Sequence, residues 1–102
     1  MEITRDEADR LLLEDAQRFA DHVKALVKVP LNQNQVDALI SFVYNIGPAA
    51  FGKSTMLKLI NQGLTEDAAN QFLRWNRGGG QVLAGLTRRR IAERELFLRA
   101  AV

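Results

Sequence analysis

The stretch Val29-Pro30-Leu31-Asn32-Gln33-Asn34-Gln35-Val36-Asp37-Ala38-Leu39-Ile40-Ser41-Phe42-Val43-Tyr44-Asn45-Ile46-Gly47-Pro48 carries its own start and stop signals. Asn32 can cap a helix with its side-chain oxygen, and Gln35, three residues on, can return its side chain to the cap amide. Leu31 and Val36 flank that cap at the spacing of a hydrophobic staple. Val36, Leu39, Ile40 and Val43 follow at the i, i+3, i+4, i+7 positions of one buried helix face. Gly47 can adopt a left-handed cap and Pro48 blocks continuation, so the helix is predicted to end near Ile46. Its apolar density predicts the central core helix.

Upstream, Thr4 and Glu7 form a second capping box, and Ala8, Leu12, Ala16, Phe19, Val23 and Leu26 fall on one stripe. This spacing predicts a long helix over about residues 5–28, with acids in its first turn, Lys24 and Lys28 in its last, and Pro30 forcing the exit. Downstream, Ser54 is read as the cap of a third helix that carries Leu57 and Ile60 and stops at Gly63. Thr65 is read as the cap of a fourth, containing Ala68, Ala69, Phe72 and Leu73. Gly78-Gly79-Gly80 breaks the chain after Trp75, and a last helix lies within residues 82–100, with Ile91 and Leu98 on a shared stripe while Leu96 and Phe97 point elsewhere. No segment alternates long enough to be a strand. The expected fold is all-α, a compact bundle of about five helices in one domain over residues 1–102, with its helical core at about 32–100.

A chain of 102 residues, 47% hydrophobic and 25% charged, has the composition of one globular domain. No apolar run approaches the ~18 residues of a membrane span, and the acidic opening is unlike a signal peptide. With no cysteine and a single histidine, His22, thiol chemistry and thiolate zinc sites are excluded, and no metal or cofactor is expected. Residues 1–23 hold seven acids against three arginines, while the remainder holds eleven bases against five acids, so an acidic helix precedes a basic body.

Two facing carboxyl groups would mark glycosidic hydrolysis, yet no such pair stands out. Glu66, Asp67 and Asp37 fall in helix first turns, where acids suit the dipole, and Glu93 and Glu95 interleave with Arg94 on a helix expected to solvate itself. His22, beside Val23, is read as a partly exposed helix residue rather than a proton switch. Gly47 to Ser54 formally matches G-x-x-x-x-G-K-S, but the preceding segment is helical and Pro48 lacks an amide that a phosphate cradle would use. Arg74, Arg77, Arg88, Arg89 and Arg90 crowd the C-terminal third with Trp75 and could hold an anion or an acidic partner. Were Thr87 a helix cap, three arginines would oppose the positive helix end, so an earlier start is favoured over a bound anion there. Nucleic acid is disfavoured because single-strand binders present more aromatic platforms.

Ile3-Thr4-Arg5-Asp6-Glu7-Ala8, the stretch from Val29 to Leu39, Ser41-Phe42-Val43-Tyr44-Asn45-Ile46-Gly47, Phe72-Leu73-Arg74-Trp75-Asn76, Gly85-Leu86-Thr87-Arg88-Arg89-Arg90 and Ala92-Glu93 together resemble the phage-type lysozymes, the endolysin muramidases of glycoside hydrolase family 24. The resemblance implies that these segments form the helical C-terminal lobe and that the helix at 5–28 joins it to an N-terminal lobe. It also implies that the catalytic glutamate and its companions lie in an N-terminal segment ahead of this sequence, so no residue here is assigned a catalytic role. Asn45, Ser54 and Gln71 become candidate saccharide-wall residues, although each can equally serve its own helix. The expectation is a lobe without muramidase activity alone that binds peptidoglycan glycan or a complementary N-terminal lobe. The alternative is a phage-encoded interaction or inhibitor protein that uses the basic surface from Arg74 to Arg90 toward an acidic protein. The resemblance further implies synthesis in the host cytoplasm, with a separate route to the cell wall.

Overall fold

The computed structural model describes residues 17–99, so the predicted Thr4–Glu7 capping box and the start of the first helix lie outside the described residues. Helix α1 is described over residues 17–26. Val23 is fully buried, and Phe19 and Leu26 pack against the core, as the stripe requires. The helix stops short of Lys28 because Asn61 closes its end: Asn61 Nδ2 donates to the Leu26 carbonyl (3.2 Å), and the Lys28 amide donates to Asn61 Oδ1 (2.7 Å). A side chain from a later helix thus satisfies groups that an isolated helix end would leave unpaired.

Helix α2 (Gln33–Ile46) forms as its local signals dictate. The Gln35 amide donates to Asn32 Oδ1 (2.8 Å) and the Asn32 amide donates to Gln35 Oε1 (2.9 Å), completing the box. Its buried face comprises Val36, Ala38, Leu39, Phe42 and Val43, with Ile40 only half-buried. The face is wider than the periodic set because α2 is covered from more than one side, by α1, by the later short helices and by the last helix. At its end Gly47 has a φ of 92° but a ψ of 151°, so the backbone is extended rather than left-handed helical. The following proline restricts the ψ of the residue before it to extended values, and glycine alone tolerates the positive φ. Pro48 does not merely stop α2. It opens a short helix, α3 (Pro48–Gly52), at the position where a missing amide costs nothing.

Ser54 caps α4 (Thr55–Asn61) by accepting the Leu57 amide (3.1 Å), as expected. Helix α5 (Thr65–Gln71) differs from expectation: the cap position belongs to Leu64, which offers no side-chain bond, and Thr65 is already helical. The tight turn at Gly63, φ 78°, brings the Leu64 amide onto the Leu59 carbonyl (3.0 Å) and starts the helix one residue early. Phe72 and Leu73 leave α5 for a 3-10 turn, Phe72–Arg74. The glycine triplet is a hairpin. Strands β1 (Arg77–Gly78) and β2 (Gln81–Val82) pair antiparallel, Arg77 with Val82 and Gly78 with Gln81, around Gly79 and Gly80. Both central glycines have positive φ, 59° and 81°, as the tight hairpin turn requires. The fold is therefore helical with one small hairpin, which corrects the expectation of no strand.

Helix α6 (Ala84–Leu98) starts before Thr87, as the charge argument favoured, so Arg88, Arg89 and Arg90 sit beyond the first turn. Thr87 instead accepts Asn76 Nδ2 (3.1 Å) and donates to the Leu83 carbonyl (3.1 Å), tying the helix to the hairpin. The inward stripe of α6 is Arg90, Glu93 and Phe97, whereas Ile91 and Leu98 are exposed, the reverse of the apolar reading. Phe42 lies at the centre of the core, edge-on to Phe51, Phe72 and Trp75 at centroid distances of 6.4, 5.0 and 5.6 Å. Edge-to-face pairs of this kind stabilise beyond their buried area.

Candidate functional site

The end of α5, the 3-10 turn after it and the first residue of α4 surround an open cleft of about 340 Å³, lined by Thr55, Gln71, Arg74 and Trp75. The 3-10 turn builds this wall, because its tighter winding bonds the Trp75 amide to the Phe72 carbonyl (3.1 Å) and ends the helical path at the indole. One edge of Trp75 is fixed against Phe42 and the residue is only half-buried. The lining thus offers an indole surface, an amide, a hydroxyl and a guanidinium. Such a set suits a sugar, whose carbon faces stack on aromatic rings and whose hydroxyls need donors and acceptors.

Behind the wall lies a buried ionic cluster. Arg90 is fully buried and Glu93 is 4% exposed. Arg90 Nε donates to the Trp75 carbonyl (2.9 Å), Nη1 donates to Glu93 Oε1 and Nη2 to Asn45 Oδ1, and the guanidinium carbon stands 4.9 Å from the Phe42 ring centroid. Glu93 Oε2 accepts the Ser41 hydroxyl (2.6 Å) and Arg89 Nε (3.4 Å), while Arg89 Nη2 donates to the Ser41 carbonyl (3.0 Å). Among the described residues no buried side-chain nitrogen or oxygen lacks a partner. A buried charge pair is tolerable only when its remaining lone pairs and protons are met, and here they are.

The candidates read from the sequence therefore separate. Gln71, Arg74 and Trp75 come together in the cleft. Ser54 stands beside Thr55 but turns inward, 5% exposed, where its hydroxyl donates to the Phe51 carbonyl (2.7 Å) and accepts the Leu57 amide. Asn45 is exposed, with its side-chain oxygen held by Arg90. Arg77 on β1 and Arg88 on α6 are exposed, while Arg89 is bound to Glu93 and Ser41. Arg90 is not on the basic surface at all, because its burial beside Glu93 and under Phe42 commits it to the core. Glu93 likewise is not a solvated helix residue. Glu66, Asp67 and Glu95 are exposed away from the cleft lining, and Asp37 accepts Gln33 Nε2 (2.7 Å). Among the described residues no group of three His, Asp or Glu is placed to hold a metal.

Thr55 is the cleft residue that sequence reasoning missed. Its signal is its place one residue after the Ser54 cap: the cap hydroxyl turns back to its own helix, leaving the next hydroxyl free to face outward.

A sequence profile of the phage lysozyme family matches residues 1–93. The endolysin of Bacillus phage B103 is 49% identical over 96 residues, covering 94% of this chain and 36% of that protein. The endolysin of Salmonella phage P22 is 47% identical over 98 residues, covering 96% of this chain and 66% of its own length. The chain thus spans about a third of the first relative and close to two thirds of the second. Among solved structures, the muramidase domain of SpmX from Asticaccaulis excentricus superposes with a TM-score of 0.90 at 44% identity, over 97% of this chain and 70% of that one. A P22 lysozyme variant superposes with a TM-score of 0.87 at 44% identity, over 97% and 67%. With its helices, their order and almost its whole length shared with these proteins, the chain belongs to the phage lysozyme family.

Proposed function

We propose that this chain supplies the helical wall of a muramidase saccharide cleft, and that by itself it binds peptidoglycan glycan without cleaving it. The observation that carries this reading is the cleft lined by Thr55, Gln71, Arg74 and Trp75, which joins an aromatic platform to polar groups that suit a sugar. That lining holds no carboxyl group, and the one carboxylate close behind it, Glu93, is bound by Arg90, Ser41 and Arg89. A general acid would have to meet the glycosidic oxygen, which Glu93 cannot do from beneath Trp75 and α2. Hydrolysis then needs carboxyl groups on a complementary lobe, which is the second partner this reading assigns. Asn45 holds the wall in place through Arg90 rather than by lining it. Synthesis in the host cytoplasm accords with this reading, and among the described residues no helix is long and apolar enough to cross a membrane.

The arginine-surface reading is weaker, because Arg90 is buried and Arg89 is occupied, which leaves Arg74, Arg77 and Arg88 for an acidic partner. Co-sedimentation with purified peptidoglycan, with reducing ends assayed in parallel, tests the proposal. Binding should be saturable and reducing ends should stay at background. Thr55→Val and Gln71→Ala should each weaken binding severalfold, the size of one or two lost hydrogen bonds at ~1 kcal/mol each. Release of reducing ends, or binding indifferent to both substitutions, would overturn it.

A further inference from the structure

The arginines of the C-terminal third are not equivalent. Arg90 is paired with Glu93, Arg89 with Glu93 and Ser41, and Arg94 with Asn70 Oδ1 (3.0 Å). Arg74 is exposed at the cleft, and its guanidinium has no acid or hydrogen-bond acceptor among the described residues. A cleft built for a neutral sugar alone would be served by the Gln71 amide and the Thr55 hydroxyl. A guanidinium adds a planar fork of donors whose geometry matches a carboxylate and which no neutral hydroxyl exploits fully. The half-buried indole beside it excludes part of the surrounding water, which strengthens such a pair relative to one on open surface.

We propose that Arg74 reads a carboxylate carried by the bound glycan, so that the cleft selects an acidic glycan strand over a neutral one of the same length. This specificity rests on the glycan reading above and adds the charge of the ligand to it. The carboxylate has two possible sources, a lactyl ether acid on the sugar itself or an acid of a peptide attached to it, and both present the same group to the guanidinium. Arg77, exposed on β1 and outside the cleft lining, is the matched control, since its removal changes net charge equally.

The test is calorimetric titration of the full chain with three tetrasaccharides. One is an uncharged N-acetylglucosamine oligomer, one carries free lactyl acids, and one has those acids amidated by carboxylate-bearing peptides. At least one acidic ligand should bind about fivefold tighter than the neutral one, the scale of an exposed charge pair, and the arm that does so identifies the source. Arg74→Gln should erase that preference while keeping affinity for the neutral oligomer, Arg77→Gln should preserve it, and added salt should shrink it. Equal binding of acidic and neutral ligands by the unaltered chain would overturn carboxylate recognition and leave glycan binding standing. Loss of the preference in Arg77→Gln as large as in Arg74→Gln would overturn it as a general charge effect. Binding of none of the three would overturn the glycan reading itself, and this inference with it.

Discussion

Replacing Arg90 with methionine should lower the unfolding free energy by about 3–5 kcal/mol, the usual cost of removing one partner from a buried ion pair. The loss follows from what remains: Glu93, 4% exposed, would keep its charge with only the Ser41 hydroxyl and Arg89 to meet it. Trp75 would lose the donor to its carbonyl and Asn45 the donor to its side chain. Domains of this size have ~5–15 kcal/mol of stability, so the variant should unfold at a much lower urea concentration with an unchanged slope. The double variant Arg90→Met with Glu93→Leu should recover much of the loss, because a pair replaced whole by apolar side chains leaves no orphaned charge. Were the single variant within 1 kcal/mol of the original chain, the cluster would not be the support of the cleft wall described above.

Phe42→Ala should be of similar size, about 3–5 kcal/mol, as for other large aromatic truncations in a core. Phe42 is fully buried and touches three aromatic rings and the Arg90 guanidinium, so its removal opens a cavity that no single neighbour can fill. It also frees the edge of Trp75 that the core holds. The measurement is urea unfolding followed by tryptophan emission, which reports one site because Trp75 is the chain's single tryptophan. The folded variant should also emit further to the red, since its indole meets more water. A midpoint and emission matching the original chain would contradict the role given to Phe42.

What was legible in the sequence was local. The Asn32–Gln35 box and the Ser54 cap form from groups a few residues apart, so their pattern predicts their bonds. Pro48 was misread because the same residue that stops one helix suits the first position of another. The hairpin escaped notice because strands of two residues are too short to show alternation. The inward face of α6 was illegible for a different reason: its stripe is Arg90, Glu93 and Phe97, so a search for apolar periodicity selects the wrong side. Only the tertiary neighbours Ser41, Asn45 and the Trp75 carbonyl make that charge tolerable inside. The same limit acted on the site. Gln71, Arg74 and Trp75 were found, while the hydroxyl was assigned to Ser54 when the neighbouring Thr55 lines the cleft.

The most direct measurement of the central claim is the emission of Trp75 during titration of the full chain with a soluble peptidoglycan glycan fragment, with reducing ends followed in the same samples. The account predicts a saturable change in emission, weakened by Gln71→Ala, with no reducing ends released. Emission indifferent to the glycan, or glycan cleaved by this chain alone, would contradict it.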